Sequence, residues 1–391
     1  MKRSAALLCL LGLLAAACSS SSTNSGPSAP TAGAQPTSPP TARPAGQPTS
    51  AQPAPQTAAP AATTAPTAAA KPTTAAQNAG LPTTPPANLR TVRDVPLQGN
   101  TSRWDYQSFD PQMHRLYIAH LGEGTVAVYD TRSGEVVGQI KDVPGVHGVI
   151  AVPELGKVYA TATDKNQVAV IDPNSLSVIA TTDGGDYPDG LAYDPEVGKV
   201  YVSDEHGGTD TVIDANTNQQ VGTIPLGGDV GNTQYDPGSH QILVAVGEKN
   251  QLAVINPTND QVTRMVDVPG CQGAHGLAID SDLRRAFVAC EKNAKLVALD
   301  LQSMQPVFTG DVGKNPDVLA IDPGLHRVYV AAESGPLSVF VDDGGTVREL
   351  VKGDAGPNAH SVAVDPETHH IYLPLQNLDG KPVLREMVVE P

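Results

Sequence analysis

A phrase of roughly 42 residues returns along this chain and restricts its fold more than any other feature. Asp194 in AYDPE, Asp236 in QYDPG, Asp280 in AIDSD, Asp322 in AIDPG and Asp365 in AVDPE close equivalent apolar runs, Asp110 does so in SFDP, and Val152 takes the place in IAVPE. Successive anchors stand 42, 42, 42, 44, 42 and 43 residues apart. A second mark follows about 20 residues behind each of the first six, at Asp130, Asp172, Asp214, Asn256, Asp300 and Asp342. Within the period His275–Asp300, the apolar runs LAI, AFVA and LVAL are separated by polar turns, which reads as a meander of strands. Four strands in 40 to 45 residues make a propeller blade. One blade cannot bury both of its faces, so blades must pack on one another in a ring. Seven anchors predict an all-β, seven-bladed propeller of four-stranded antiparallel blades.

The chain ends also bear on closure. The last period offers an inner strand SVAVD, a second strand HIYLPL and a third near Arg385–Val389, and then the sequence stops at Pro391. Leu89–Gly99, reading LRTVRDVPLQG, is similar to the outer-strand text VVGQIKDVPG at Val136–Gly145. Leu89–Pro96 is therefore expected to supply the missing outer strand. That closure would remove a sheet edge open to aggregation. Residues 89–391 are expected to form a single propeller domain.

Residues 1–88 have a different composition. Residues 1–17 carry Lys2 and Arg3, then LLCLLGLL, then small residues, the pattern of a signal peptide. Leu14-Ala15-Ala16-Ala17-Cys18 resembles the lipobox of bacterial lipoproteins, which implies lipidation of Cys18 and attachment to the membrane through that lipid alone. Fifteen of the 35 prolines fall between Pro27 and Pro86, among Ala, Thr, Ser and Gln. Such a segment has too little apolar surface to offset the entropy of ordering, so 18–88 is expected to be a disordered tether spanning on the order of 45 Å. The expected location is the extracytoplasmic side of the cell envelope. Residues 89–391 hold all 41 acids, the first of them Asp94, and 21 of the 25 bases, a net charge of −20. That balance argues against nucleic acid, whose binding needs a basic surface, and suits cations.

The residue five before each anchor starts an inner strand at the mouth of the central channel. These are Asp105, His147, Asp189, Gly231, His275, Asp317 and His360, so six of seven are His or Asp. Residues ten to twelve past an anchor are expected at the same mouth, and there stand His120, Asp204 and His206. Trp104, the only tryptophan, adjoins Asp105 and could pack at the mouth or stack on a ligand. Imidazole with carboxylate suits zinc or a similar divalent metal, while the same residues could simply be polar channel lining. The second-mark aspartates are expected to cap turns. Cys271, in the loop entering the fifth blade, and Cys290, at the end of its second strand, point to one face. A disulfide, a Cys/His metal site with His275, and two separate thiols are all open to them.

VYVSDEHGGTDTVID and VYATATDKNQVAVID resemble the strand text of YVTN-type (YncE-like) bacterial β-propellers, and the resemblance spans Leu89–Pro391. It implies an extracytoplasmic binding or scaffold module for a protein, glycan or small ligand. The fold is also similar to that of lactonases and streptogramin lyases. The alternative is therefore a metal-dependent hydrolase or lyase using the His/Asp ring. No GxSxG, Walker-type or HExxH motif is present.

Overall fold

A computed structural model of the chain describes Ala87–Glu390. The signal peptide, Cys18, nearly all of the tether and Pro391 lie outside the described residues.

Seven four-stranded antiparallel sheets follow one another, as the repeat predicts. The third blade is typical: Pro188–Asp194, Lys199–Asp204, Thr209–Asp214 and Gln219–Pro225 pair in chain order. Its two middle strands are buried on both faces almost throughout, polar residues included, because each lies between neighbouring blades. Outer strands keep one face in water, and Ser177–Asp183 alternates exposed and covered residues accordingly. Three-residue 3-10 turns are the only helical pieces among the described residues, and none is long or apolar enough to cross a membrane.

One position in the second strand builds the packing between blades. Tyr117, Tyr159, Tyr201, Phe287, Tyr329 and Tyr372 occupy it, with Leu243 in the fourth blade, and all are at most 2% exposed. Two of these rings also tie a blade to the next. The Tyr159 hydroxyl donates to Asn218 Oδ1 at 2.9 Å and the Tyr201 hydroxyl to Asp260 Oδ1 at 2.8 Å. Anchor aspartates accept backbone N–H bonds from the turn they open, as Asp194 does from Glu196 at 2.8 Å. The second marks do the same, Asp130 accepting from Ser133 N at 2.7 Å and Asn256 from Thr258 N at 2.9 Å.

The ring closes as expected. Asn88–Pro96 pairs antiparallel with Lys381–Glu390 and becomes the outer strand of the seventh blade. Two bonds from the Arg385 guanidinium to Asp94, at 2.7 and 2.8 Å, fasten it. The third strand begins at Lys381, earlier than Arg385, because His370–Leu378 and Lys381–Glu390 extend into a tight hairpin around Asp379 and Gly380. The inner strand is shorter than SVAVD and spans Ala363–Asp365, leaving His360 and Ser361 in the entering loop.

On the face of the anchor turns, a second ladder joins the blades. Arg284 donates to Asp236 at 2.7 Å, and His326 and His369 bond Asp280 and Asp322 at 2.9 and 2.7 Å. His240 bonds Glu196 at 2.6 Å in the same manner. Each of these residues lies four past its anchor with positive φ, and each reaches back to the preceding blade.

Candidate functional site

The inner strands approach one another so closely around the channel that glycine is required at points on them. A Cβ on Gly148 or Gly276 would fall 2.0 Å from the carbonyl oxygen of Asp189 or Asp317 in the next blade. Gly231 interrupts the His/Asp ring for the same reason: its Cβ would lie 2.6 Å from His275 Cα. Tyr106 projects across the channel from the first blade. Its hydroxyl donates to Asp189 Oδ2 at 2.9 Å and accepts from Asn232 Nδ2. The channel is thereby divided into a mouth chamber of 200 Å³ and a deeper cavity of 380 Å³, with Tyr106 lining both.

Asp105, His147, Asp189, His275, Asp317 and His206 line the mouth chamber. His360 lies behind it, 1% exposed, with Nε2 4.0 Å from Asp105 Oδ1. Three glutamates and one arginine join them that a reading for His and Asp passes over: Glu205, Glu291, Glu333 and Arg103. The glutamates stand eleven residues past their anchors, within the same ten-to-twelve stretch as His206. Six carboxylates thus surround the chamber.

His120 and Asp204 are corrections to the expected mouth lining. Both stand ten past an anchor, where other blades place Ala162, Val246, Cys290, Ala332 and Leu375, all buried. Position ten is the last residue of the second strand and faces the packed interior, whereas position eleven opens the turn beyond it and reaches the chamber. Asp204 accepts from Gly185 N at 2.9 Å, Thr209 Oγ1 at 2.7 Å and Thr211 Oγ1 at 2.9 Å. His120 stacks on Trp104 with ring centroids 3.8 Å apart and bonds Ser102 Oγ at 3.0 Å. Trp104 is therefore wall packing, 1% exposed, and no platform for a ligand.

Arg103 neutralises part of the chamber, reaching Asp105 at 3.1 Å and Asp317 and Glu333 at 3.3 Å. It bonds the Oδ2 atoms of both aspartates. His275 Nε2 lies 3.4 Å from Asp317 Oδ1. Burial works against the His275 imidazolium, but Asp317 outweighs it and holds the ring up to about 10. Burial likewise opposes the Asp317 carboxylate, yet His275, His360 and Arg103 bring it down to about 2. Asp105 goes the other way: burial raises it well above the ordinary carboxylate range against the charge of Arg103, with Asp317 and Asp189 adding to the rise. Glu205 and Glu291 are also raised, chiefly by burial.

His147 is satisfied at both nitrogens. Its Nδ1 donates to Gly145 O at 2.8 Å, and Nε2 accepts from the Tyr187 hydroxyl at 3.1 Å, an assignment made from the partners. Tyr187 in turn packs on the His206 ring at 4.1 Å. His147 is thus a structural part of the rim. Cys271 and Cys290 form a disulfide, with Cα atoms 5.3 Å apart. Beside it Glu291 N donates to Gly273 O at 2.9 Å, so the bridge and this bond set the loop carrying His275 against Glu291.

No protein-family model matches the sequence, and no curated protein matches it. Among solved structures, the hydrazine synthase of Kuenenia stuttgartiensis is similar over 76% of this chain and 96% of that one, with a TM-score of 0.61 and 17% identity. At that identity the likeness shows the propeller fold alone.

Proposed function

We propose that this propeller is a binding module whose channel mouth takes a small cation or a single cationic group of a larger partner. One observation carries the reading: six carboxylates face a chamber in which Arg103 already serves as the bound guanidinium of three of them. A volume of 200 Å³ is below the roughly 300–1,000 Å³ of drug-sized pockets, which favours one charged group over an extended glycan. The strand text at Val158–Asp172 and Val200–Asp214 supports placing the chain among YVTN-type propellers. The run ending in Cys18 supports a lipid-anchored protein on the extracytoplasmic side of the envelope. The hydrolase or lyase alternative requires a resident metal.

Calorimetry of the full-length protein with agmatine, which carries a guanidinium and an ammonium, tests the reading. Binding that weakens with added salt and is lost in the Glu291→Gln/Glu333→Gln double variant supports it. Equal heats for the wild type and the variant, or no heat from agmatine or any metal ion, overturn it. For the anchor, Cys18→Ala should move the protein from the detergent-extracted membrane fraction to the soluble fraction and abolish incorporation of a labelled fatty acid. Retention with the membrane overturns that assignment.

A further inference from the structure

Resting on that reading of the mouth as a cation site, we propose that its cation is a divalent first-row transition metal held by Asp105, Asp317 and His360. The ligand atoms of these three residues all lie within 4.8 Å of one another. They come from the first, sixth and seventh blades, which meet where the ring closes.

The unused atoms single out this triad from the other acids of the chamber. Arg103 occupies Oδ2 of Asp105 and Oδ2 of Asp317; Oδ1 of Asp105 is buried without a hydrogen-bond partner, and the buried Oδ1 of Asp317 faces only His275 Nε2, at 3.4 Å. Both ring nitrogens of His360 are also buried and unpartnered, although the residue is only 1% exposed. A neutral imidazole always presents one N–H and one lone pair, and burying both unmet is costly. Two carboxylate oxygens and an imidazole nitrogen this close together form a donor set better suited to borderline divalent ions than to calcium or magnesium. Metal–ligand distances of about 2.0–2.2 Å set ligand atoms roughly 3.3–3.8 Å apart, so the triad must draw in from separations of up to 4.8 Å as the metal enters. Three protein ligands leave further positions open toward the chamber, where water or an oxygen of a small ligand completes the sphere.

His147 is excluded as a ligand because both of its nitrogens are used. His275 turns its Nε2 to Asp317 and stands as a neighbour of the site.

The test is elemental mass spectrometry on the full-length protein, as isolated and after chelation and reloading with cobalt(II), zinc(II) or manganese(II). Asp105→Asn, Asp317→Asn and His360→Gln are compared with His240→Ala on the opposite face. About one equivalent of metal in the wild type and in His240→Ala, with affinity at least about 100-fold weaker in each triad variant, supports the site. Cobalt d–d bands that shift in His360→Gln would identify the imidazole as a ligand. Circular dichroism identifies any variant that has not folded. Should one fail to fold, the remaining two and the wild-type cobalt spectrum decide. Metal retained equally in the folded triad variants, or none bound by the reloaded wild type, overturns the proposal. If agmatine still binds in the latter case, the broader cation reading stands while the metal site fails.

Discussion

At the scale of single residues, the protein places acids where burial works against their charge. Asp210 is an example away from the mouth. It is fully buried, accepts from Thr233 Oγ1 at 3.1 Å, and has no partner at Oδ1. Burial, with Asp204 adding its charge, pushes it up to about 8. The folded state therefore holds this proton more tightly than the unfolded chain does. Its contribution to stability is fully present below about pH 4 and is lost as pH rises toward 8. Asp210→Asn keeps the shape without the charge. It should raise stability by on the order of 1–3 kcal/mol at pH 8.5 and change it little at pH 4. Thermal melts at the two pH values measure this, and equal shifts at both would refute the assignment.

The His275–Asp317 pair has the opposite sign. Asp317 adds stability above about pH 4 that is lost as pH falls through about 2, and His275 adds stability below about pH 6.5 that is lost as pH rises through about 10. In chelated protein, His275→Gln should therefore flatten the alkaline limb of stability between pH 7 and 10. A limb unchanged by the substitution counts against the pair.

Among the structural elements, the loops entering the inner strands decide the site. The loop before Ala274–Asp280 is longer than those entering the third, fourth and sixth blades and is held by the Cys271–Cys290 bridge, which closes 19 residues of chain. Constraining the unfolded chain over that length contributes about 2–4 kcal/mol. Cys271→Ala/Cys290→Ala should lower the melting temperature by about 4–8 °C. If the mouth depends on this loop, the double variant should also weaken agmatine binding by more than its melting temperature accounts for. An unaltered affinity at a temperature where the variant is still folded would detach the loop from the site. The pairing within the ladder of His240, Arg284, His326 and His369 is not written locally in the sequence. Four of the ten histidines share that position, counting His114, yet the residues bonded by His240, His326 and His369 lie more than 40 residues away in the preceding blade.

For the whole molecule, cohesion depends on closing the ring. Asn88–Pro96 is largely exposed along its own length, so its role is to cover Lys381–Glu390 rather than to add core. Deleting residues 88–96 leaves that long strand as an open edge and frees the Arg385 guanidinium from Asp94. The shortened protein should aggregate on concentration and melt at least about 10 °C lower, as light scattering and calorimetry would report. A monomer that melts at the wild-type temperature would show that the strand is dispensable. Closure also brings Asp105 of the first blade beside His360 of the seventh, so the edge contact and the proposed site depend on the same join.

The number of blades, the order of their strands, the closing N-terminal strand and the turn-capping aspartates were legible in the chain before any packing was known. All of these are local, periodic signals: apolar runs of strand length, and Asp at fixed intervals. The ring of His and Asp at the inner-strand starts was legible for the same reason. Which of those residues meet is a property of the folded ring. The step from the last strand residue to the first turn residue moves a side chain from the core to the chamber, as Asp204 and Glu205 show. Arg103 was invisible as a chamber residue because two of the three carboxylates it joins, Asp317 and Glu333, are brought to it from the sixth blade. The unpartnered faces of Asp105, Asp317 and His360 exist only once the first and last blades touch, since no spacing in the sequence encodes which atoms remain without a partner.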